Sequence, residues 1–317
     1  MMNSELSNNS INVSKKSFYQ RYKKEIRAYA LLIFPLIWWG IFFVYAFGRS
    51  FYFSFTDMKL NINSISKLSF DNYIRIFNPN HRFYDATFWN SLKVTILWTV
   101  VMMIGNNGMA LLCAFLISQL KKGKKFFLAA LFWPSLVSAV VGADNTKMIF
   151  SSESSGFMNK FISLFGLGPI QWFDDKTYAL LGLMIAPFFL GFSIKLLIYY
   201  ASIVSIPKTY QESATLETNS KFKIFSKITL PLMKNAIILN TILSLIDGFK
   251  ILGPMQLVTK GGPEKSTLSS MLYIYNLAFE DGQMGRASAY AFVLFLIILI
   301  LTLIQLKISG KEAETIE

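Results

Sequence analysis

The sequence predicts an all-α, polytopic membrane protein with six transmembrane helices. Three observations indicate this fold class. Of the 317 residues, 53% are hydrophobic and only 15% are charged, whereas a soluble domain carries about 25% charged residues. The apolar residues lie in six long runs, and a helix needs about 20 such residues to span the hydrocarbon core. The runs are continuous rather than alternating, which excludes the strands of a membrane β-barrel.

The six spans follow from the apolar runs along the chain. The fourth run contains one charged residue, Lys195, and the fifth contains Asp247 and Lys250 near its centre. The last run is the most uniformly aliphatic. The predicted spans are 28–47, 94–120, 126–143, 178–206, 236–258 and 287–306.

These spans predict one membrane domain, residues 28–308, between polar tails at residues 1–27 and 309–317. The first tail does not resemble a signal peptide, because the apolar run after it is too long for an h-region and no small-residue cleavage site follows. We therefore expect an uncleaved first helix.

The placement of lysine and arginine predicts the orientation in the membrane. The two tails, the loops after spans 2 and 4, and Lys307 just after the last span together carry seventeen basic residues against seven acidic ones. The other three loops carry twelve basic residues against ten acidic ones. Because cytoplasmic loops are enriched in Lys and Arg, we expect a plasma-membrane protein with both termini in the cytoplasm. Binding of these lysines to anionic partners is the alternative.

The composition excludes most catalytic chemistry. Cys113 and His81 are the single residues of their kinds, so a Cys-clustered zinc site and a His-pair metal site are both excluded. The chain lacks the G-x-x-x-x-G-K-[ST] motif, and Lys121 to Lys125 do not replace it. We assign no catalytic residue and no metal site. The net charge of +13 is explained by positive loops beside membrane lipid, so no nucleic-acid partner is expected.

The loop at about residues 205–235 is much longer than the 2 to 8 residues that usually join adjacent helices. Pro207 favours the first turn of a helix, with Ser205 near its cap, and no helix breaker follows until Leu216. The small side chains of Ser213 and Ala214 would allow close approach by another surface. A second short amphipathic helix follows, with Phe222, Phe225 and Ile228 on one side, and Pro231 ends it.

The same loop reads Y-Q-E-S-A-T-L-E-T-N from Tyr210 to Asn219, followed at intervals by Phe225, Ile228, Leu230 and Pro231. It resembles the EAA loop of the permease subunits of ATP-binding-cassette (ABC) importers, whose pattern is E-A-A, two residues, D-G-A, and then F, I, L and P. The resemblance implies ATPase coupling by these residues: Tyr210, Glu212, Ser213, Ala214, Glu217, Thr218, Asn219, Phe225, Leu230 and Pro231.

Thr218 departs from the family pattern, which has glycine there. Glycine suits a chain reversal through positive φ, and Asn tolerates positive φ better than Thr does. Our hypothesis is that the reversal moves to Asn219.

Further motifs extend the resemblance to roughly residues 30–308. Thr259 to Pro263 reads T-K-G-G-P, and Gly285 to Ala289 reads G-R-A-S-A. Both are similar to motifs of the binding-protein-dependent, carbohydrate-type permeases. The resemblance implies contact of Thr259, Gly261, Gly262 and Pro263 with a binding protein, although a Gly-Gly-Pro turn needs no partner.

The resemblance also implies the assembly. A second homologous permease, two ATPase subunits and an extracytoplasmic solute-binding protein would complete an importer of a sugar or oligosaccharide. ATP and magnesium would be bound by the ATPase subunits, with no cofactor in this chain. The alternatives are a polyol or glycerophosphate-type solute, a secondary transporter that works alone, and a membrane-embedded enzyme.

Polar residues inside the spans are costly and need partners or a wet cavity. Asp247 and Lys250, three residues apart, form either a mutual ion pair or part of the translocation path. For Asn106 and Asn107 we favour hydrogen bonds between helices over a path-lining role. The candidate translocation path comprises Asn106, Asn107, Lys195, Asp247 and Lys250.

Overall fold

The computed structural model describes residues 23–60 and 68–311, which are mostly helical. Within these two ranges the β-pairing is limited to a single bridge between Thr56 and Leu68, so the all-α prediction is confirmed. The predicted tails at 1–27 and 309–317 lie largely outside the described residues. The domain boundaries therefore stay predictions.

The chain divides into two compact units, residues 1–52 and 53–317. The described part of the first unit is helical: α1 (Lys23–Trp39) leads into a π-helical turn (Gly40–Tyr45), which leads into α2 (Ala46–Ser54). Its large apolar side chains, including Leu31 and Phe34, are exposed. A helix that is apolar all round is typical of a membrane span.

The second unit contains the remaining helices, several of them short and joined by tight π-helical turns. In chain order they are α3 (Asp71–Phe77), α4 (Ala86–Gln119), α5 (Lys124–Phe132), α6 (Ala139–Ile149), α7 (Phe157–Ser163), α8 (Lys176–Leu190), α9 (Ser193–Ser205), α10 (Lys208–Glu217), α11 (Lys221–Ile224), α12 (Leu230–Leu232), α13 (Lys234–Phe249), α14 (Ser270–Tyr275) and α15 (Met284–Lys311). A 3₁₀ turn follows α5, and the π-helical turns are Phe225–Thr229, Met255–Thr259 and Asn276–Glu280.

Three helical segments are long and apolar enough to cross a membrane on their own, and the number of candidate spans rises to as many as six if each of three bent helix pairs is one span. The single spans are Tyr29–Ser54, Ala86–Gln119 and Met284–Ser309. The bent pairs are Lys124–Leu136 with Ala139–Ile149 at 93°, Lys176–Phe188 with Ser193–Ser205 at 43°, and Lys221–Leu232 with Lys234–Phe249 at 73°. All six fall where the sequence places a span.

The third, fourth and fifth spans differ from the straight helices that the sequence predicts. Pro134 lies in the 3₁₀ turn before the first bend, and the Ser138 hydroxyl caps the new helix there by accepting the amide of Val141. The fourth span breaks after Pro187, which lies inside α8. The fifth was expected to reach residue 258, but its helix ends at Phe249.

Helix α4 is the centre of the second unit. Three buried clusters lie along it, with Phe88 and Leu92 in the first, Trp98 and Met102 in the next, and Ala110 in the last. At 34 residues it is about 51 Å long, well beyond the roughly 30 Å hydrocarbon core. One helix therefore connects the three buried clusters of the second unit.

Close approach of α13 to α4 depends on a glycine. A Cβ atom on Gly248 would lie 2.6 Å from the Thr99 hydroxyl oxygen. Small residues at helix crossings are typical of membrane proteins, because apolar side chains gain little from leaving lipid and packing dominates.

Candidate functional site

The 205–235 loop folds as two short helical segments, as predicted. Helix α10 begins after Pro207, which precedes it in an extended conformation. Ser205 does not cap α10: its hydroxyl donates 2.8 Å to the carbonyl of Ser202 and so closes α9 instead. The expected helix over 208–216 is observed as Lys208–Glu217.

The two segments enclose a groove of about 340 Å³ lined by Thr209, Tyr210, Ser213, Ala214, Glu217 and Ile228. Ala214 is buried within the chain itself, so its small side chain serves packing beneath α10. Glu212 and Ser213 on the same helix are exposed. Among the described residues neither Glu212 nor Glu217 forms an ion pair, and both carboxylates are open to a partner.

The turn after α10 corrects the hypothesis about Asn219. Thr218 is extended, with φ −155° and ψ 137°, and Asn219 is not among the described residues with positive φ. The Thr218 hydroxyl oxygen accepts the amide of Ser220 at 3.2 Å. A side-chain hydrogen bond of this kind is a common substitute for a glycine turn, so the reversal needs no residue with positive φ.

The second segment is anchored by Phe225. Its ring lies 4.3 Å from that of Phe115 on α4, beside the buried cluster that contains Met233. Phe222, expected on the same side, is 71% exposed. The π-helical turn Phe225–Thr229 follows Phe222 and begins at Phe225. The ring contact of Phe225 with Phe115 joins the loop to the central helix α4.

Asn107 joins three helices in the interior. Its amide group donates 2.8 Å to the Ser244 hydroxyl on α13, and its carbonyl oxygen accepts the Tyr199 hydroxyl of α9 at 2.9 Å. These are the expected interhelical hydrogen bonds.

Asn106 has no such arrangement. Its carbonyl oxygen is buried and has no hydrogen-bond partner in the described chain. Its amide nitrogen lies beside Gly191, at the break between α8 and α9, where a Cβ atom would come within 2.6 Å of the Pro187 carbonyl oxygen, so glycine is required there. An unpaired buried oxygen beside a helix break suits water or a solute.

Asp247 pairs with Lys195 rather than with Lys250. The Lys195 ammonium and the Asp247 carboxylate are 4.0 Å apart, with side chains 11% and 71% exposed. Packing of α9 against α13 brings the two together, and Asn240 on α13 also donates to the Lys195 carbonyl at 3.1 Å. Lys250 caps the end of α13 and is exposed. The expected Asp247–Lys250 ion pair is therefore wrong.

The turn at Thr259 to Pro263 is stabilised by hydrogen bonds with the residues that follow it. The hydroxyl groups of Thr259 and Thr267 lie 2.7 Å apart, and that of Thr267 donates to the Gly262 carbonyl at 2.7 Å. Gly261 is buried. The predicted contact residues thus mainly build the turn.

The side chains that this turn presents outward are Lys260, Glu264 and Lys265, which the sequence analysis did not single out. All three have positive φ, at 51°, 47° and 62°. Non-glycine residues adopt this conformation only where the surroundings impose it, often at functional sites.

A buried ionic cluster at the start of α4 was also missed. Asp85 caps α4 by accepting the amides of Thr87 and Phe88. Its carboxylate also contacts the Arg286 guanidinium and accepts the hydroxyl groups of Tyr273 at 2.5 Å and Tyr290 at 2.8 Å. An Asp just before an apolar run signals the cap, but nothing local signals its distant partners.

This environment changes the acidity of Asp85. Burial acts to raise the pKa of its carboxyl group, but hydrogen bonds from Tyr273 and Tyr290 and the charge of Arg286 outweigh burial. The pKa therefore lies below its ordinary value.

Comparison with known family profiles finds no match, but individual proteins match along the whole chain. The chain is 30% identical over 309 residues to the probable ABC transporter permease protein YesP of Bacillus subtilis (strain 168), covering 96% of this chain and 97% of that protein. This chain belongs to the ABC transporter permeases. The family prediction from the sequence is confirmed.

Two further relatives carry names that state what they transport. The permease is 28% identical over 291 residues to the arabinooligosaccharides transport system permease protein AraP of Bacillus subtilis (strain 168), covering 92% of the permease and 90% of AraP. It is 26% identical to the multiple sugar-binding transport system permease protein MsmF of Streptococcus mutans, and the match covers 89% of the permease and 95% of MsmF.

Solved structures confirm the fold. The permease has a TM-score of 0.79 and 19% identity to a chain of a bacterial ABC transporter involved in the import of the acidic polysaccharide alginate, covering 92% of the permease and 98% of that chain. The permease has a TM-score of 0.78 and 18% identity to a chain of a bacterial alginate ABC transporter in complex with alginate pentasaccharide-bound periplasmic protein. The match covers 93% of the permease and 97% of that chain. The permease therefore has the fold of an ABC importer's membrane subunit.

Proposed function

We propose that this permease is one of two homologous membrane subunits of an ATP-driven importer for a sugar or oligosaccharide. An extracytoplasmic binding protein would deliver the solute and two ATPase subunits would supply the energy. The observation that carries the proposal is the match along nearly the whole chain to permeases named for arabinooligosaccharides and multiple sugars. Catalysis would belong to the ATPase subunits.

The 205–235 loop is the proposed ATPase dock. Helix α10 presents Glu212 and Ser213 outward next to an open groove, and a carboxylate there can accept charge-assisted hydrogen bonds from a basic partner residue. Phe225 connects the loop to α4. Motion of an ATPase subunit would thus reach the spans through rigid packing rather than through a flexible linker.

The proposed orientation places this loop and both termini in the cytoplasm. The excess of Lys and Arg on that side supports it. The turn at Thr259 to Pro263 then lies outside, where Lys260, Glu264 and Lys265 would meet the binding protein.

Solute would pass beside Asn106, Lys195 and Asp247, between this permease and its homologous partner. ATP can drive the cycle only by binding one conformation better than the other. Closure of the ATPase subunits would move the two docked loops together and shift the spans from inward-open to outward-open.

A glycerophosphate-type solute is the second candidate. The permease is 25% identical to the sn-glycerol-3-phosphate transport system permease protein UgpA of Escherichia coli, covering 89% of the permease and 94% of UgpA. Sugars remain favoured because AraP and MsmF match with higher identity.

Reconstitution tests the proposal. The complete complex in liposomes, supplied with ATP and loaded binding protein, is expected to take up arabinose-type or glucose-type oligosaccharides and to leave glycerol 3-phosphate outside. Uptake of glycerol 3-phosphate alone would favour the second candidate. Uptake by the isolated permease without ATPase subunits would refute an ABC importer function.

A further inference from the structure

Helix α7 lies in the loop between α6 and α8. It exposes apolar side chains and buries a polar one, the reverse of what is usual for a helix that faces water. Phe157, Phe161, Leu164 and Phe165 are all exposed, and Leu164 reaches 79%. Their spacing of four, seven and eight residues places them on one face of the helix and its continuation. We call these four side chains, three phenylalanines and one leucine, the aromatic stripe.

The opposite face carries a buried polar residue. Asn159 is 2% exposed, and its amide group donates to the carbonyls of Ser151, Glu153 and Ile170 at 3.0 to 3.2 Å. Its carbonyl oxygen accepts the Ile170 amide and the Trp172 indole N–H, both at 3.0 Å. Asn159 therefore has every polar group paired inside the loop.

This network fixes the direction of the stripe. Turning α7 to bury the phenylalanines would break these hydrogen bonds and leave the buried amide group of Asn159 unpaired, which is unfavourable. The ring of Trp172 also packs 5.2 Å from that of Phe150, which closes the loop on its inner side. The exposed stripe is thus built into the fold.

We propose that the aromatic stripe lies in the interface of the lipid bilayer, at the level where headgroups meet acyl chains. Both ends of the loop join segments that form membrane spans, at Ile149 and Lys176, so the loop stays near the membrane surface. α7 contacts α6, where the apolar side chains of Val141 and Met148 are also exposed.

The chemistry of the stripe fits lipid better than a protein partner. It offers no carboxylate, hydroxyl or amide, and exposed Lys160 lies beside it, where a lysine can extend toward lipid phosphate. Four side chains are also too few for a stable protein interface, which buries about 800 Å² on each partner. Short amphipathic helices with aromatic faces bind bilayer interfaces readily.

Spin labelling of the assembled importer in phospholipid nanodiscs tests this proposal. In a Cys113→Ser background, Phe161→Cys and Leu164→Cys are labelled separately, and Ser155→Cys, exposed in the same loop, is the control. Relaxation by oxygen is expected to exceed relaxation by a water-soluble nickel chelate at positions 161 and 164, with the reverse order at position 155.

Two outcomes would overturn the proposal. Greater relaxation by the nickel chelate at 161 and 164 would place the stripe in water. Low relaxation by both reagents would mean that another protein subunit covers it. Because two positions are labelled independently, poor folding of one variant leaves the other decisive.

Discussion

The hydroxyl group of Tyr290 on α15 donates a hydrogen bond of 2.8 Å to the carboxylate of Asp85, 205 residues earlier in the chain. The same carboxylate caps α4 and contacts Arg286. One buried acid therefore joins the start of the central helix to the last span.

Replacing Asp85 with Asn is expected to destabilise the permease strongly, by about 3 kcal/mol, because the half-buried Arg286 charge loses its anionic partner. Tyr290→Phe removes the hydrogen bond that the hydroxyl group donates to Asp85 and the one it accepts from Arg286, and should cost about 2 kcal/mol. Thermal unfolding in detergent measures both, with the exposed loop residue variant Asp174→Asn as control. Equal stability of Asp85→Asn and wild type would contradict the role of the cluster.

The stabilisation by Asp85 is expected to depend on pH. The pKa of Asp85 is lower in the folded protein than its ordinary value of 3.8, so its contribution is complete above about pH 4 and is lost as the pH falls toward the folded pKa. The difference in unfolding temperature between wild type and Asp85→Asn should therefore shrink in acid. A difference that stays constant from pH 7 to pH 3 would show that Asp85 acts without its charge.

Glu212→Lys is expected to abolish transport and to weaken ATPase binding. Reversing a charge at a partner interface leaves the other charge unpaired, at a cost of about 2 to 5 kcal/mol. The measurements are pull-down of the ATPase subunits and stimulation of ATP hydrolysis by loaded binding protein. Glu280→Lys, an equally exposed charge reversal in the predicted outer half, should leave pull-down unchanged. Wild-type pull-down and wild-type stimulation of ATP hydrolysis in the Glu212→Lys variant would show that this loop does not couple the permease to the ATPase subunits.

The turn after α10 should depend on the hydroxyl group of Thr218 and not on Asn219. Thr218→Val removes the acceptor of the Ser220 amide, whereas Thr218→Ser keeps it. Hydrogen exchange at Ser220 and Lys221 is expected to speed up only in the valine variant. Asn219→Val should resemble wild type, and faster exchange in that variant would restore the hypothesis of a reversal at Asn219.

A double-mutant cycle can establish which lysine pairs with Asp247. Lys195→Met and Asp247→Asn are expected to show a coupling of about 0.5 to 1 kcal/mol, since the acid is largely exposed. The matched cycle with Lys250→Met should show none. Unfolding temperatures and solute uptake are measured for all variants, and a larger coupling for Lys250 would reject the observed pairing.

The sequence by itself determined the number of spans, the family and the extra helix at 208–217. Each of these depends on residues that are neighbours in the chain: a span needs about 20 consecutive apolar residues, and a helix start such as Pro207 acts within one turn. Local patterns also located Asn107 and Lys195 as interior polar residues, although not their partners.

Tertiary structure decided the bends, the pairing of charges and the direction of each loop side chain. Lys195 meets Asp247 because α9 packs on α13, and Asp85 meets Tyr290 because the first turns of α4 and α15 share one buried cluster. Phenylalanines in α7 face outward because Asn159 has all its hydrogen bonds on the inside. Such contacts join residues far apart in the chain, so their energies depend on how the helices pack and leave no local periodic signal.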